Sequence, residues 1–315
     1  MAVTVSRGLQ MILLNKLRNK LVIGALIMAS QGAMANLNIF TCEPEWESLV
    51  KEIGGDKVEV FSATTGLQDP HHIQARPSLI AKVRKVDMVV CTGAELEIGW
   101  LPLLIRRAAN PKIQEAGPGY FMATQYARIL GRPKTLDRSQ GDVHAAGNPH
   151  IQTNPKNILP VAKALTVRMT ALDPENGQLY QNNLDDFEQR WKQALDGWKK
   201  LTQPLKNLPI VVYHASWIYL EDYLKLERVD SLEDKPGVPP TSGHLAEILN
   251  KMKTHPAKVI IYAAYQDGRP AQWLSEQTGI PLVKLPFTIG GTDEAKDLFS
   301  LYDDTFNRLL KTVTP

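Results

Sequence analysis

The chain lacks several motifs that would assign it to an enzyme class. No G-x-G-x-x-G, Walker, H-E-x-x-H or G-x-S-x-G sequence occurs among its 315 residues, so nucleotide binding and the common hydrolase mechanisms have no motif behind them. Cysteine is scarce, with Cys42 and Cys91 alone and no C-x-x-C pair, so a thiolate zinc site is not supported. Seven histidines remain as the residues whose chemistry needs an explanation.

The sequence also lacks an apolar run long enough to span a bilayer after its N-terminal region. Within that region, Met11 to Ala35, three basic residues precede the apolar run 21–29, and Ala33-Met34-Ala35 supplies a small-x-small pattern. This order is typical of a secretory signal peptide, and the apolar run is shorter than the ~20 residues that a membrane-spanning helix needs. We predict that residues 1–35 are a signal peptide and that the mature chain has no stable membrane insertion.

The chain carries no excess of positive charge once residues 1–35 are set aside. The net charge of the whole chain is +3, and residues 1–35 contain four basic residues and no acid, so the remainder carries three minus four, or −1. Nucleic acid is therefore not an expected partner. No cysteine follows Ala35 directly, so a lipid-anchored form is not indicated.

The rest of the chain alternates short apolar runs with amphipathic helical patterns. The runs that predict strands lie at 37–42, 57–63, 86–93, 209–215, 228–233, 257–264 and 280–287. The helical patterns lie at 44–55, 76–85, 99–109, 216–226, 242–253, 269–279 and 293–313. This alternation predicts the α/β class, with parallel sheets covered by helices on both faces.

A long helical pattern runs from Pro174 to Gln203 between the two groups of strands. Its apolar residues recur at steps of three and four, and Asp173 is a candidate cap. We predict two doubly wound α/β lobes joined by a long spine helix. The predicted divisions are 36–173 for the N-terminal lobe, 174–205 for the linking helix and 206–315 for the C-terminal lobe.

The two cysteines each end an apolar run, "LNIFTC" and "VDMVVC". If the two strands are neighbours in the sheet, a disulfide can form in an oxidising compartment. Because a disulfide demands restrictive geometry, the preferred prediction is two buried free thiols.

Histidines lie just beyond strand ends, where doubly wound folds bind their ligands. His71 and His72 follow the second strand, His214 ends "IVVYH", and His150 lies in a polar loop. Three imidazoles suit Zn²⁺, a borderline-soft ion. Spacing alone leaves two interpretations open, a metal site or solvated loop histidines.

Six segments in order resemble the zinc/manganese-type solute-binding proteins of ABC metal importers. They are "DPHHIQARPS" (69–78), "VDMVVCTGAELEIGWLP" (86–102), "GNPHIQTNP" (147–155), "VVYHASWIYLEDYL" (211–224), "KPGVPPTSGHLAEI" (235–248) and "LFSLYDDTFNRL" (298–309). The resemblance covers nearly all of the chain after residue 35. It implies a monomeric periplasmic protein, not an enzyme, that captures Zn²⁺ and delivers it to a membrane permease.

The resemblance also implies the ligands. They would be His71 from "DPH", His150 from "NPH" and His214 from "YH", and a histidine at the third place favours zinc over manganese. The family's usual carboxylate after the last strand is missing from "VKLPFTIGGTDEA". Asp293 is then either the fourth ligand or the cap of the last helix.

Two other histidines and two other functions stay open. His72 is predicted to point away from the site, and His144 to be an unliganded loop residue rather than an aid to metal capture. A manganese or iron binder of the same fold is one alternative. A secreted zinc hydrolase, with water in the open fourth position, is the other.

Overall fold

Two four-stranded parallel sheets form the frame of the molecule, as the alternating sequence pattern predicts. The structure, a computed structural model, describes residues 36–133 and 141–313, and the predicted signal peptide lies outside them. In the first sheet the order is β2-β1-β3-β4, with β1 Leu37–Thr41, β2 Val58–Ser62, β3 Met88–Cys91 and β4 Tyr120–Met122. In the second the order is β6-β5-β7-β8, with β5 Pro209–Val212, β6 Glu227–Ser231, β7 Val259–Ala263 and β8 Leu282–Leu285.

Helices cover both sheets. They are α1 Pro44–Gly54, α2 Pro77–Val83, α3 Leu101–Ala108, α4 Ile158–Leu172, α5 Gly177–Leu201, α6 Ile218–Leu224, α7 Ser242–Met252, α8 Arg269–Thr278 and α9 Leu298–Leu310. Within the described ranges, no helix combines the length and the apolar character that crossing a membrane requires. The two-sheet α/β prediction is confirmed.

The chain reverses direction across each sheet at the same place. After β1 it moves outward to β2 and then returns to β3 on the other side of β1, and β5, β6 and β7 repeat this path. In such sheets a crevice opens beyond the carboxyl ends of the two central strands, and ligands bind there. We therefore expect a ligand site near the loops after β1 and β3 and near those after β5 and β7.

The predicted spine helix exists, although it begins later than expected. A short 3₁₀ turn, Pro174–Asn176, precedes α5, whose 25 residues span about 37 Å at 1.5 Å per residue. Asp173 does not cap α5; its carboxylate accepts hydrogen bonds from Asn176 Nδ2 at 2.8 Å and Tyr180 Oη at 2.6 Å. The aromatic residues of α5 lie in a core that also contains side chains from both sheets.

Two elements escaped the sequence analysis, α4 and β4. Helix α4, "ILPVAKALTVRMTAL", carries apolar residues almost all round, so it shows no clear apolar stripe. It packs against α5 and contributes six buried residues. Strand β4 is three residues long, too short to show an alternating pattern.

The preference for free thiols is wrong. Cys42 and Cys91 are joined in a disulfide, with their Cα atoms 4.8 Å apart. Strands β1 and β3 are hydrogen-bonded neighbours, and each cysteine lies at or just beyond the end of its strand. The parallel register thus supplies the restrictive geometry that the sequence could not show.

Candidate metal centre

Three imidazoles from separate loops lie close together. His71 is in the loop after β2, His214 follows β5, and His150 is in a polar loop. The ring centroid of His71 lies 5.2 Å from that of His150 and 6.1 Å from that of His214, and the last two are 6.0 Å apart. With Zn–N bonds of ~2.0–2.1 Å, imidazole rings around a tetrahedral ion lie about 5 Å apart. The three rings therefore lie close to the arrangement that zinc requires, and two of the three separations need to shorten by about 1 Å.

Carboxylates orient two of these rings. His71 Nδ1 lies 2.7 Å from Asp69 Oδ1, and His214 Nδ1 lies 2.6 Å from Glu233 Oε2. A carboxylate accepts, so each Nδ1 donates its proton and leaves the lone pair on Nε2. His71 Nε2 is buried and has no hydrogen-bond partner among the described residues. Carboxylate–histidine–metal triads are built in this way.

Electrostatics at the first pair agree with this arrangement. Partial burial of Asp69 would raise the pKa of its carboxyl, but the hydrogen bonds that it accepts from His71 outweigh burial and lower the pKa. The carboxylate form of Asp69 is thereby favoured, which is the form that holds the ring of His71.

His150 is the most deeply placed of the three. Its side chain is fully buried, and neither ring nitrogen has a partner in the described part of the chain. Burial, and then the neighbouring histidines, lower the pKa of His150 well below the ordinary value, so the ring is neutral. A buried neutral imidazole without a hydrogen bond is costly unless something else takes its lone pair.

The loop of His150 is tied to the residue after His214. Asn148 Oδ1 accepts from the His150 backbone N–H at 3.1 Å, and Asn148 Nδ2 donates to Ala215 O at 2.9 Å. Tyr219 Oη donates to Asn148 O at 2.7 Å. The two side-chain bonds give the asparagine of "NPH" a structural role.

His144 was predicted to be an unliganded loop residue, but the structure brings it to the same place. Its ring centroid lies 5.4 Å from that of His71 and 6.5 Å from that of His150. Its Nε2 is buried without a partner among the residues described, and burial lowers its pKa to about 4. The only signal in the sequence is its place six residues before His150, in a loop with glycines on either side.

Asp293 is not among the residues that line the cleft. It is exposed, and the carboxylates that line the cleft are Asp69, Asp142, Glu233 and Asp267, around a cavity of about 210 Å³. The cap interpretation of Asp293 is wrong, because Asp297 caps α9 in a capping box with Ser300. After β8, the residue that packs against His150 is Phe287, with ring centroids 5.3 Å apart.

His72 differs from its neighbour, as predicted. Its side chain is 65% exposed, against 8% for His71, and its Nδ1 lies 3.9 Å from Asp69 Oδ2. The adjacent histidines thus have different surroundings, and His71 is the one that faces the other imidazoles.

A tighter group of donor atoms occurs at the end of the first sheet. Atoms of Cys42, Cys91 and Glu97 lie within 4.8 Å of one another. Both sulfurs are engaged in the disulfide, and the thiolate is the form of cysteine that binds metals, so this group is not a site as it stands.

Comparison with known proteins agrees with the geometry. The sequence profile of the family described as "Zinc-uptake complex component A periplasmic" matches residues 39–312. A manganese ABC transporter substrate-binding lipoprotein, PsaA, of Streptococcus anginosus is 23% identical over 262 residues, 81% of each chain. The PsaA of Streptococcus pneumoniae is 23% identical over 282 residues, 87% of each chain.

Solved structures show the same fold. The crystal structure of ZnuA superposes with a TM-score of 0.73 and 19% identity, covering 89% of this chain and all of the other. A Mn-bound periplasmic metal-binding protein from Candidatus Liberibacter asiaticus gives 0.71 and 17% identity, covering 88% and 99%. Members of the matched family are substrate-binding proteins of transport systems, not enzymes, so a zinc hydrolase is not supported. The chain belongs to the zinc-uptake complex component A family, the metal-binding substrate-binding proteins of ABC importers.

Proposed function

We propose that the protein captures Zn²⁺ in the periplasm through His71, His150 and His214 and delivers it to an ABC-type permease. The observation that carries the proposal is the pair of carboxylate-bound imidazoles, on Asp69 and Glu233, beside the buried unbonded ring of His150. Three neutral imidazoles replace water around the ion, and no bond of a substrate is made or broken. The carboxylates keep the lone pairs on the nitrogens that face the ion.

The ligand chemistry supports zinc. Imidazole suits zinc, whereas manganese favours carboxylate, carbonyl and water ligands. At the end of β8, Phe287 packs on His150, so this edge of the site offers an apolar ring. The runner-up, a manganese-binding protein of the same fold, draws support from the relatives named for manganese. The signal peptide at residues 1–35 is part of the same proposal, because export places the protein outside the cytoplasm.

The test is the removal of one ligand. His214→Ala should abolish tight zinc binding in calorimetric titration, since it removes a donor nitrogen that Glu233 holds in place. His255→Ala is the matched control, because that histidine is exposed and its Nδ1 lies near Thr254 Oγ1, at a helix end. Unchanged zinc affinity in His214→Ala would sink the proposal.

A further inference from the structure

The loop that carries His144 borders the cleft, which its Asp142 lines, and we call residues 141–147 the strap. On one side the backbone N–H of Asp142 donates to Pro236 O at 2.8 Å. On the other side the backbone N–H of Ala145 donates to Glu95 Oε2 at 2.6 Å. The strap is thus fixed both to the loop after β6, in the second sheet, and to the loop after β3, in the first.

The strap approaches the β6 loop very closely. A Cβ on Gly141 would lie 2.1 Å from Pro236 O, and a Cβ on Gly237 would lie 2.1 Å from Asp142 Oδ2. Both glycines also have positive φ, of 86° and 77°. The contact therefore requires glycine on each side, for space and for backbone conformation.

The loop that holds the strap also holds a metal-site histidine. Glu233 Oε2 accepts from the backbone N–H of Gly237 at 2.8 Å and from His214 Nδ1 at 2.6 Å. A continuous path of hydrogen bonds and backbone thus runs from His214 through Glu233 and the 236–237 turn to the strap. His144 lies at the far end of this path, with its ring next to His71.

We propose that His144 is the fourth ligand of the ion, carried by the strap, which closes the site and must lift before the ion leaves. The inference rests on the proposed function. Four observations support it: a buried ring nitrogen without a partner in the described residues, the ring separation of 5.4 Å from His71, the exposed position of Asp293, and the two anchors. The bound ion would complete a closed loop from His214 through Glu233 and the strap back to His144.

The first experiment identifies the ligands one by one. Nitrogen-15 spectra of the seven histidine rings, recorded with one equivalent of zinc, should show metal-shifted nitrogens for His71, His144, His150 and His214. His144→Ala should lose one such signal and keep three. Loss of a residue that only hydrogen-bonds to a metal ligand lowers metal affinity ~10–100-fold. Loss of the ligand His144 should therefore accelerate zinc transfer to a chelator about tenfold or more.

The second experiment moves the strap without removing a ligand. Gly141→Ala should accelerate zinc release in the same direction as His144→Ala, because the added Cβ collides with Pro236 O. In the His144→Ala background, Gly141→Ala should add little to the rate of zinc release, because the effects of residues that act through one interaction are not additive. Gly279→Ala is the control: its φ is also positive, at 69°, but its Cβ would meet nothing within 4 Å.

The outcomes separate the two proposals. If His144→Ala keeps wild-type release and His144 shows no metal shift, while His71→Ala loses zinc, the strap inference is wrong and the three-histidine site stands. If His71→Ala retains zinc, the proposed function itself fails. Fully additive effects of Gly141→Ala and His144→Ala would show that the strap does not act through His144.

Discussion

At the scale of single residues, the site depends on which nitrogen of each histidine carries the proton. Asp69 and Glu233 decide this for His71 and His214, because each accepts from Nδ1. Without these carboxylates each ring could adopt either tautomer and rotate, and part of the metal affinity would be spent on ordering it. The carboxylates therefore act on the ion through the rings they hold.

Asp69→Asn tests this role. The change keeps an oxygen that can accept from His71 but removes the charge, so zinc affinity should fall ~10–100-fold, as is typical for outer partners of metal ligands. Competitive titration against a chelating dye measures the change. His72→Ala is the control on the same loop and should lose little, because its side chain is 65% exposed. Equal losses in the two variants would mean that Asp69 only supports the loop.

Some of these residues could be predicted from the sequence and others could not. His71, two positions after Asp69, follows from "DPH". Its separation from the exposed His72 comes from a turn, in which the backbone N–H of His72 donates to Asp69 O at 3.2 Å. Glu233 lies 19 residues from His214 and meets it only because β6 pairs with β5, so no local pattern marks it. The sequence does not mark His144, because the bond that fixes its loop joins Asp142 to Pro236, 94 positions further along the chain.

At the scale of elements, α5 links the two sheets through aromatic side chains. Trp191 is fully buried, its ring packs on those of Phe187 and Trp198, and its Nε1 donates to Pro155 O at 3.0 Å. Pro155 closes the "GNPHIQTNP" segment that carries His150. The spine helix thus supports the loop of a candidate ligand as well as the core.

Trp191→Ala should destabilise the protein by ~3–5 kcal/mol, the usual cost of truncating a buried tryptophan, and it also removes one hydrogen bond to Pro155 O. The free energy of unfolding in urea measures this. Trp273→Ala makes the same change at a side chain that is 37% exposed on α8, and its cost should be clearly smaller. A loss below about 1 kcal/mol for Trp191→Ala would contradict the importance given to the spine core.

The elements themselves were largely predictable because buried parallel strands and amphipathic helices leave clear patterns. Each predicted strand lies within two or three residues of an observed one, and the α5 stripe marks the spine. Helix α4 was missed because apolar residues also occupy its exposed face, Val167 among them at 71% exposure, and they obscure the buried stripe in the sequence. The disulfide was missed because it depends on β1 and β3 being neighbours in register, which is a tertiary fact.

At the scale of the whole molecule, three buried carboxyls lie beyond the end of the first sheet. One of them contacts a residue from the second half of the chain. Glu43, Glu45 and Glu97 are at most 3% exposed. Glu45 accepts from Thr288 Oγ1, and Glu97 accepts from the backbone N–H of Thr92 at 2.8 Å. Burial raises the pKa of Glu45 and of Glu97 from the ordinary 4.5 to about 7, and burial with the charge of Glu97 raises the pKa of Glu43 well above it.

Glu97→Gln should show this effect as a pH-dependent difference from wild type. A raised folded-state pKa means that the folded chain holds the proton more tightly, so the stabilisation is complete below about pH 4.5 and is lost as pH rises to about 7. The free energy of unfolding of Glu97→Gln relative to wild type should therefore rise across that window. Comparing the two proteins cancels the histidines, whose lowered pKa values act in the opposite direction.

The control for this prediction is Glu115→Gln, at an exposed carboxylate. Its difference from wild type should stay flat between pH 4.5 and 7. If Glu97→Gln is equally flat, the pKa of the Glu97 carboxyl is not raised in the folded protein and the burial argument is wrong.

The central claim, that the molecule captures zinc, is tested most directly by how the two metals change the stability of the wild-type protein. A ligand that binds only the folded state at 100 times its dissociation constant adds about 2.7 kcal/mol to the free energy of unfolding. Measured by urea unfolding, zinc at that excess should produce this gain, and manganese at the same concentration should produce almost none. Equal stabilisation by manganese, or none by zinc, would contradict the account.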